Sequence, residues 1–304
     1  MPQPLIQFRP YQDEAFSQTL GILALVWARQ RGKSYLLANI ALDWMMAEVC
    51  DVIFASAAIR LGQENIRKEA DVWRDVTQKL RAAAAAQGAL LTTNADDDKG
   101  NLIDADAVAD LFEHQKLETK IWHNRTQFSR SLVVAPNPDT AVGWTGNVIM
   151  DEVGRIPDFR DVFEAMEPIV SANPNFKMRL ATTPPPDDAH YSYELLAPPA
   201  GSEFKTSPRG NYYTTDAGIT VHRVDAADGY AAGVPLYDLK SRKALSPDEH
   251  RALAVDRQAW DRNYGLAFLE GGVTALSRMA LLHAQGFGAD QGLAIYITDS
   301  LEAA

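Results

Sequence analysis

Residues 27–46 read WARQRGKSYLLANIALDWMM, and the fold turns on how they are read. Gly32, Lys33 and Ser34 complete a phosphate loop of the form G-x-x-x-x-G-K-[ST], but Trp27 stands where that pattern has its first glycine. Upstream, GILALV (21–26) is a short apolar run that ends at the loop. Downstream, Leu36, Leu37, Ile40, Ala41, Trp44 and Met45 recur at helical spacing. Strand, loop and helix in this order place the N–H groups of a helix start at the head of a strand. Phosphate can be received there, with Lys33 reaching the terminal phosphates and the Ser34 hydroxyl on Mg²⁺.

Working outward, DVIFAS (51–56) predicts a second buried strand, followed by a charged helix over about 60–87. The βαβα order predicts an α/β protein with a mostly parallel sheet flanked by helices. RSLVVAP, NVIMDEV and KMRLATTPPP predict three more strands, with a helix over 159–171 between the last two, so five strands are expected by residue 183. From about residue 196 the texture turns to Pro, Gly and Asp. One further helix, SPDEHRALAVDRQAWDRNYG, is then expected, opened by a Ser246/Glu249 capping box with Pro247 in its first turn. The acidic, weakly periodic segment from Asn94 to Lys120 reads as a solvated insertion or mobile hairpin rather than a binding element.

The 304 residues are 46% hydrophobic, ordinary for a packed core in one large domain or two small ones. A single cysteine, Cys50, excludes an intrachain disulfide and fits a reducing cytoplasm. No stretch has the pattern of a signal peptide or a membrane span. A net charge of −11 argues against a surface that coats nucleic acid nonspecifically, because that affinity comes from Lys and Arg releasing counterions. It leaves room for a local basic patch.

A second chemical signal lies at NVIMDEV (147–153). An apolar strand ending in two acids suits a site where Asp151 holds Mg²⁺ and Glu152 orients the attacking water. The carboxyl end of a strand in a parallel sheet is also where ligands bind. Taken with the loop about 120 residues earlier, it points to ATP. Thr182 and Thr183, at the end of a strand before three prolines, either sense the γ-phosphate or simply stop the strand. Gln12 in FRPYQDEAF (8–16) either pairs its amide with adenine or starts an amphipathic helix.

The set RPYQ, ARQRGKS, GWTGNVIMDEV and LATTPPP resembles the ATPase domain of the large terminase subunit of tailed bacteriophages, the motor that packages DNA into the procapsid. Members of that family have a deviant loop, roughly [SA]-R-[QR]-x-G-K-[ST], which Ala28 to Ser34 match position by position. The resemblance implies a P-loop NTPase fold of the RecA/ASCE type. It also implies ATP and Mg²⁺ as ligands and assigns the residues their roles. Arg29 becomes a cis-acting arginine at the γ-phosphate and Glu152 the catalytic carboxylate. Gln12, Gln30, Gly32, Lys33, Ser34 and Asp151 hold nucleotide and metal, and Thr182 and Thr183 couple hydrolysis to movement.

It further implies double-stranded DNA, the portal protein and the small terminase subunit as partners, in the cytoplasm of a bacterial host. The chain is expected to be a monomer in dilute solution and a ring on the portal. Residues 1–195 are expected to form the ATPase core and 196–272, including WDRNYGLAFLEGG, the rest of that domain. Residues 273–304 are expected to begin an RNase H-like nuclease too short to be active. Val142 and Gly143 replace the Arg-Gly pair that family members often carry before the acidic strand. A helicase-like ATPase and a noncatalytic docking module are the alternatives. Lys33, Asp151 and Glu152 together favour catalysis over the latter.

Overall fold

The apolar runs form the centre of a nine-stranded sheet in this computed structural model, which describes residues 6–86, 111–141, 143–186 and 188–269. In chain order the elements begin with α1 (Pro10–Phe16), β1 (Ile22–Trp27), α2 (Lys33–Ala47), β2 (Asp51–Ser56) and α3 (Ile59–Ala86). Next come β3 (Phe112–His114), β4 (Glu118–Trp122), β5 (Phe128–Val134), α4 (Pro138–Ala141), β6 (Asn147–Asp151), α5 (Phe159–Ser171), β7 (Met178–Thr182) and α6 (Tyr191–Leu196). The remainder is β8 (Asn211–Thr214), β9 (Thr220–Val224), α7 (Ala226–Ala231), β10 (Leu236–Tyr237), β11 (Ala244–Leu245), α8 (Pro247–Ala252) and α9 (Arg257–Asn263).

The sheet order is β3-β4-β5-β2-β6-β7-β1-β9-β8. Every pairing from β5 to β9 is parallel, and antiparallel strands close both edges. Parallel strands covered on both faces should be apolar throughout, and β1 shows why. Leu23, Leu25 and Trp27 point to the layer of α2 and α3, where they meet Leu36, Leu37, Ile40 and Trp73. Ala24 and Val26 point the other way, to Phe159, Val162 and Met166 of α5. The alternation is that of a strand, and each large aliphatic side chain so buried contributes roughly 1.5–3 kcal/mol.

Three sequence expectations need correction. Six strands were not foreseen: β3 and β4 extend one edge as a hairpin, β8 and β9 extend the other out of the Pro- and Gly-rich region, and β10 and β11 pair with each other apart from the main sheet. The hairpin, residues 112–122, takes up the end of the acidic segment and runs past it, and its Thr119 and Ile121 are buried; residues 94–110 lie outside the described residues. The helix expected over 246–265 is two, because Asp256 accepts from the Ala259 N–H and starts α9 afresh. The Ser246 capping box is present as read. Residues 273–304 lie outside the described residues, and no helix among the described residues is long and apolar enough to cross a membrane.

Candidate nucleotide site

Trp27 is still inside the ladder, opposite Val224 of β9. The position that carries glycine in the common loop is therefore strand in this chain. Its indole turns into the core, edge-on to Tyr11 at 5.2 Å and to His222 at 5.6 Å. The chain bends later, with Gln30 (φ 60°) and Gly32 (φ 79°) in the left-handed region. At Gly32 a Cβ would also come within 2.6 Å of the Gln12 amide nitrogen. Lys33 then opens α2, whose first N–H groups face out at the head of β1.

Lys33 is buried, and its ammonium donates to the Trp27 carbonyl at 2.8 Å. Burial pushes its pKa below the ordinary lysine value, Glu152 and Asp151 pull it back up, and Arg29 opposes them. Ser34 Oγ donates to Asp151 Oδ2 at 3.1 Å, which ties the loop to the end of β6. Burial raises the Asp151 carboxyl above the usual range and Glu152 raises it further, while Lys33 and the Ser34 hydrogen bond lower it. A hydroxyl and a buried carboxylate at the phosphate end of the loop are the hard oxygen donors that Mg²⁺ takes beside substrate phosphates.

Glu152 follows in the left-handed region (φ 55°, ψ 42°), with its N–H on Asp151 Oδ1 at 2.9 Å. Such backbone is costly for a residue with a side chain and concentrates at functional positions. It gives two adjacent acids different tasks: Asp151 meets Ser34, whereas Glu152 lines the open cavity. That cavity, of about 540 Å³, is also lined by Arg29, Gln30, Gly32, Lys33 and Ser34. Arg29 is exposed, and its backbone N–H donates to the Asn263 carbonyl at the end of α9 at 3.0 Å.

Other expected residues are placed differently. Gln12 is buried, accepting from the Arg9 N–H at 3.0 Å and donating to the Gly32 carbonyl at 3.3 Å, so its amide braces the loop from behind. Thr182 is also buried, accepting from the Gly154 N–H at 3.0 Å and donating to the Thr183 carbonyl at 2.6 Å. Neither threonine lines the loop cavity; Thr183 lines a neighbouring one of about 420 Å³.

Sequence reasoning missed Tyr35, Leu61, Lys68 and Arg155, which also line the loop cavity. Leu61 and Lys68 stand seven apart on α3 and so share a face, a relation visible only once α3 is known to pack beside the loop. Arg31, also on the wall, is 1% exposed and donates to the Val234 carbonyl at 2.7 Å. Among the described lining residues five are Arg or Lys and one, Glu152, is acidic. In a chain of net charge −11 this local excess of positive charge suits a polyanion.

No protein-family model matches the sequence, and no curated protein matches it. Solved structures do. The large terminase ATPase domain of Thermus phage P74-26 is similar at TM-score 0.56 and 17% identity, over 85% of this chain and 93% of that one. The large terminase of bacteriophage HK97 is similar at 0.54 and 14%, over 94% of this chain and 55% of that one. The large terminase of a thermophilic bacteriophage, in complex with ADP, follows at 0.51 and 10%, over 87% and 54%. This chain spans about half the length of the latter two. Identities this low carry architecture alone: the chain has the P-loop fold of the ATPase domains of phage large terminases.

Proposed function

We propose that this chain is the ATPase motor domain of a phage large terminase, which hydrolyses ATP to move double-stranded DNA into a procapsid. The observation that carries the reading is the 3.1 Å hydrogen bond from Ser34 to Asp151, with Lys33 and Glu152 on either side. It joins a phosphate loop to an acidic strand end at one cavity. The thermophilic phage terminase solved with ADP supports a nucleotide as ligand.

In this reading the triphosphate lies over the α2 N-terminus, and Lys33 leaves the Trp27 carbonyl for the β- and γ-phosphates. Ser34 and Asp151 would hold Mg²⁺, which would supply charge neutralisation at the phosphates. Arg29 meets the γ-phosphate, a contact worth about 10³–10⁵ in rate for arginine fingers. Glu152 accepts a proton from the attacking water, whose oxygen bonds to the γ-phosphorus as the bond to the bridging oxygen breaks. The products are ADP and phosphate. Gln30 and Gly32 shape the loop, and Gln12 acts on it from behind, where the adenine contact expected of it requires its amide to turn. Thr182 and Thr183 link the site to β7.

Residues 196–272 complete the ATPase domain in this proposal, a division supported by the pairing of β9 with β1. The portal protein and small terminase subunit are the proposed partners, and the setting is the cytoplasm of a bacterial host. The chain is a monomer in dilute solution and forms a ring on the portal.

The test is ATP turnover with Mg²⁺ for wild type and Glu152→Gln, with nucleotide binding followed on both. We expect the variant to bind ATP and lose hydrolysis by at least about 10²-fold. If neither protein binds ATP, the noncatalytic docking reading replaces this one.

A further inference from the structure

Behind the nucleotide cavity lies the second one, of about 420 Å³, between the turn that follows Glu152, the Thr183–Pro184 segment and the end of α9. Its described lining includes Arg155, Arg262 and His190 and no acid. The His190 ring is already used, with Nε2 donating to the Ile156 carbonyl at 2.9 Å and Nδ1 accepting from the Ser192 N–H at 3.2 Å. Arg262 is half-buried, and among the described residues its guanidinium makes no hydrogen bond or ion pair. A guanidinium held in a concave site without a counter-charge is matched by an oxyanion, which it can grip with parallel N–H donors.

Arg155 lines both cavities and so connects them. Its Nε lies 3.9 Å from Glu152 Oε2. Resting on the ATPase reading above, we propose that the second cavity binds inorganic phosphate, the product of γ-phosphate cleavage, between Arg155 and Arg262. Arg155 stands on the wall that both cavities share, so a phosphate released in the first is within its reach, and Arg262 offers the second contact. The same cavity is lined by Thr183, next to β7, and by Asn263, whose carbonyl accepts from the Arg29 N–H at 3.0 Å, so phosphate bound there would adjoin both the end of β7 and a partner of the loop.

The experiment is a calorimetric titration of sodium phosphate, at constant ionic strength, into the full chain saturated with ADP and Mg²⁺. Wild type, Arg262→Gln and Arg262→Lys are compared, with ADP affinity and thermal melting measured on the same samples. Phosphate should bind the ADP-loaded wild type and bind Arg262→Gln roughly tenfold or more weakly, with Arg262→Lys between them and ADP affinity unchanged. No phosphate binding to the ADP-loaded wild type, or equal binding to Arg262→Gln, overturns the inference. Displacement of phosphate by a short DNA duplex also overturns it, because it assigns the cavity to a nucleic-acid backbone. If wild type binds no nucleotide, the ATPase reading fails separately. Phosphate is then titrated into the nucleotide-free chain with Lys33→Ala alongside. Binding lost in Arg262→Gln but kept in Lys33→Ala still places an oxyanion in this cavity, and the reverse pattern removes it.

Discussion

Glu69 on α3 is fully buried and has hydroxyl and amide donors rather than a cation. Thr119 Oγ1 donates to it at 2.5 Å, Ser131 Oγ at 2.9 Å and Asn65 Nδ2 at 3.3 Å. Burial pushes its pKa up to about 7, against the pull of the two hydroxyls. The folded value then lies above the unfolded one, so the folded chain binds more protons than the unfolded chain between about pH 4.5 and 7. Stability from this group is complete below that window and is lost as pH rises through it, by about 3 kcal/mol in all. Glu69→Gln keeps the size and an acceptor without the charge. The variant should gain stability over wild type at about pH 8 and match it near pH 5, outside and at the foot of the titration; urea midpoints that track in parallel across that range would count against this account.

At the same scale the loop was readable in part. Lys33, Ser34 and Asp151 could be singled out because a phosphate loop and an acidic strand end each put particular residue types at fixed places, and the fold brings Ser34 and Asp151 into contact. The backbone of Glu152 and the inward turn of Gln12 did not, since they depend on which neighbours supply hydrogen-bond partners.

Among the elements, α3 sets one wall of the loop cavity, and its approach to the sheet depends on Gly62. A Cβ at that position would overlap the Val133 side chain on β5. Gly62→Ala should therefore push α3 off the sheet, costing about 1–3 kcal/mol as overpacking does. The double variant with Val133→Ala should recover part of that loss. A denaturant-unfolding cycle in which the two changes simply add would show that this contact is not the cause. The helices α2 and α5 were legible because their apolar residues repeat with the helical period over more than three turns. Strand β9 was not: TVHRV places His222 and Arg223 in a central position, and only the fold explains how they are tolerated. His222 is buried, donates to the Arg209 carbonyl at 2.8 Å, stacks on Tyr212 at 4.6 Å, and burial holds it neutral with a pKa lowered to about 4. The break between α8 and α9 was hidden for a related reason. Trp260 is the one buried residue of α9 and α8 has none, so little apolar pattern was present to mark where one helix ends.

For the whole molecule, the parallel sheet and its helical layers followed from the order of apolar runs, whereas its width did not, because both edges are built from polar, short strands. The pairing of β9 with β1 has a practical result. A chain cut after residue 196 would leave β1 with unpaired backbone groups along one side and Trp27 without His222. Such a fragment should be insoluble or lack fixed tertiary packing, while one ending at residue 269 should be soluble; near-ultraviolet circular dichroism of the two separates the outcomes.

The same pairing bears on load. The strand that carries the phosphate loop is zipped along one side to β7 through Ile22 to Val26 and along the other to β9 through Ala24 to Trp27. A pull along that strand is resisted in shear by both ladders, and their bonds must fail together rather than peel one at a time. If ATP cleavage does move a polymer against tension, the recoil meets the loop at a strand that is paired along both sides. The polar edge strands, joined on one side only, are left to yield first.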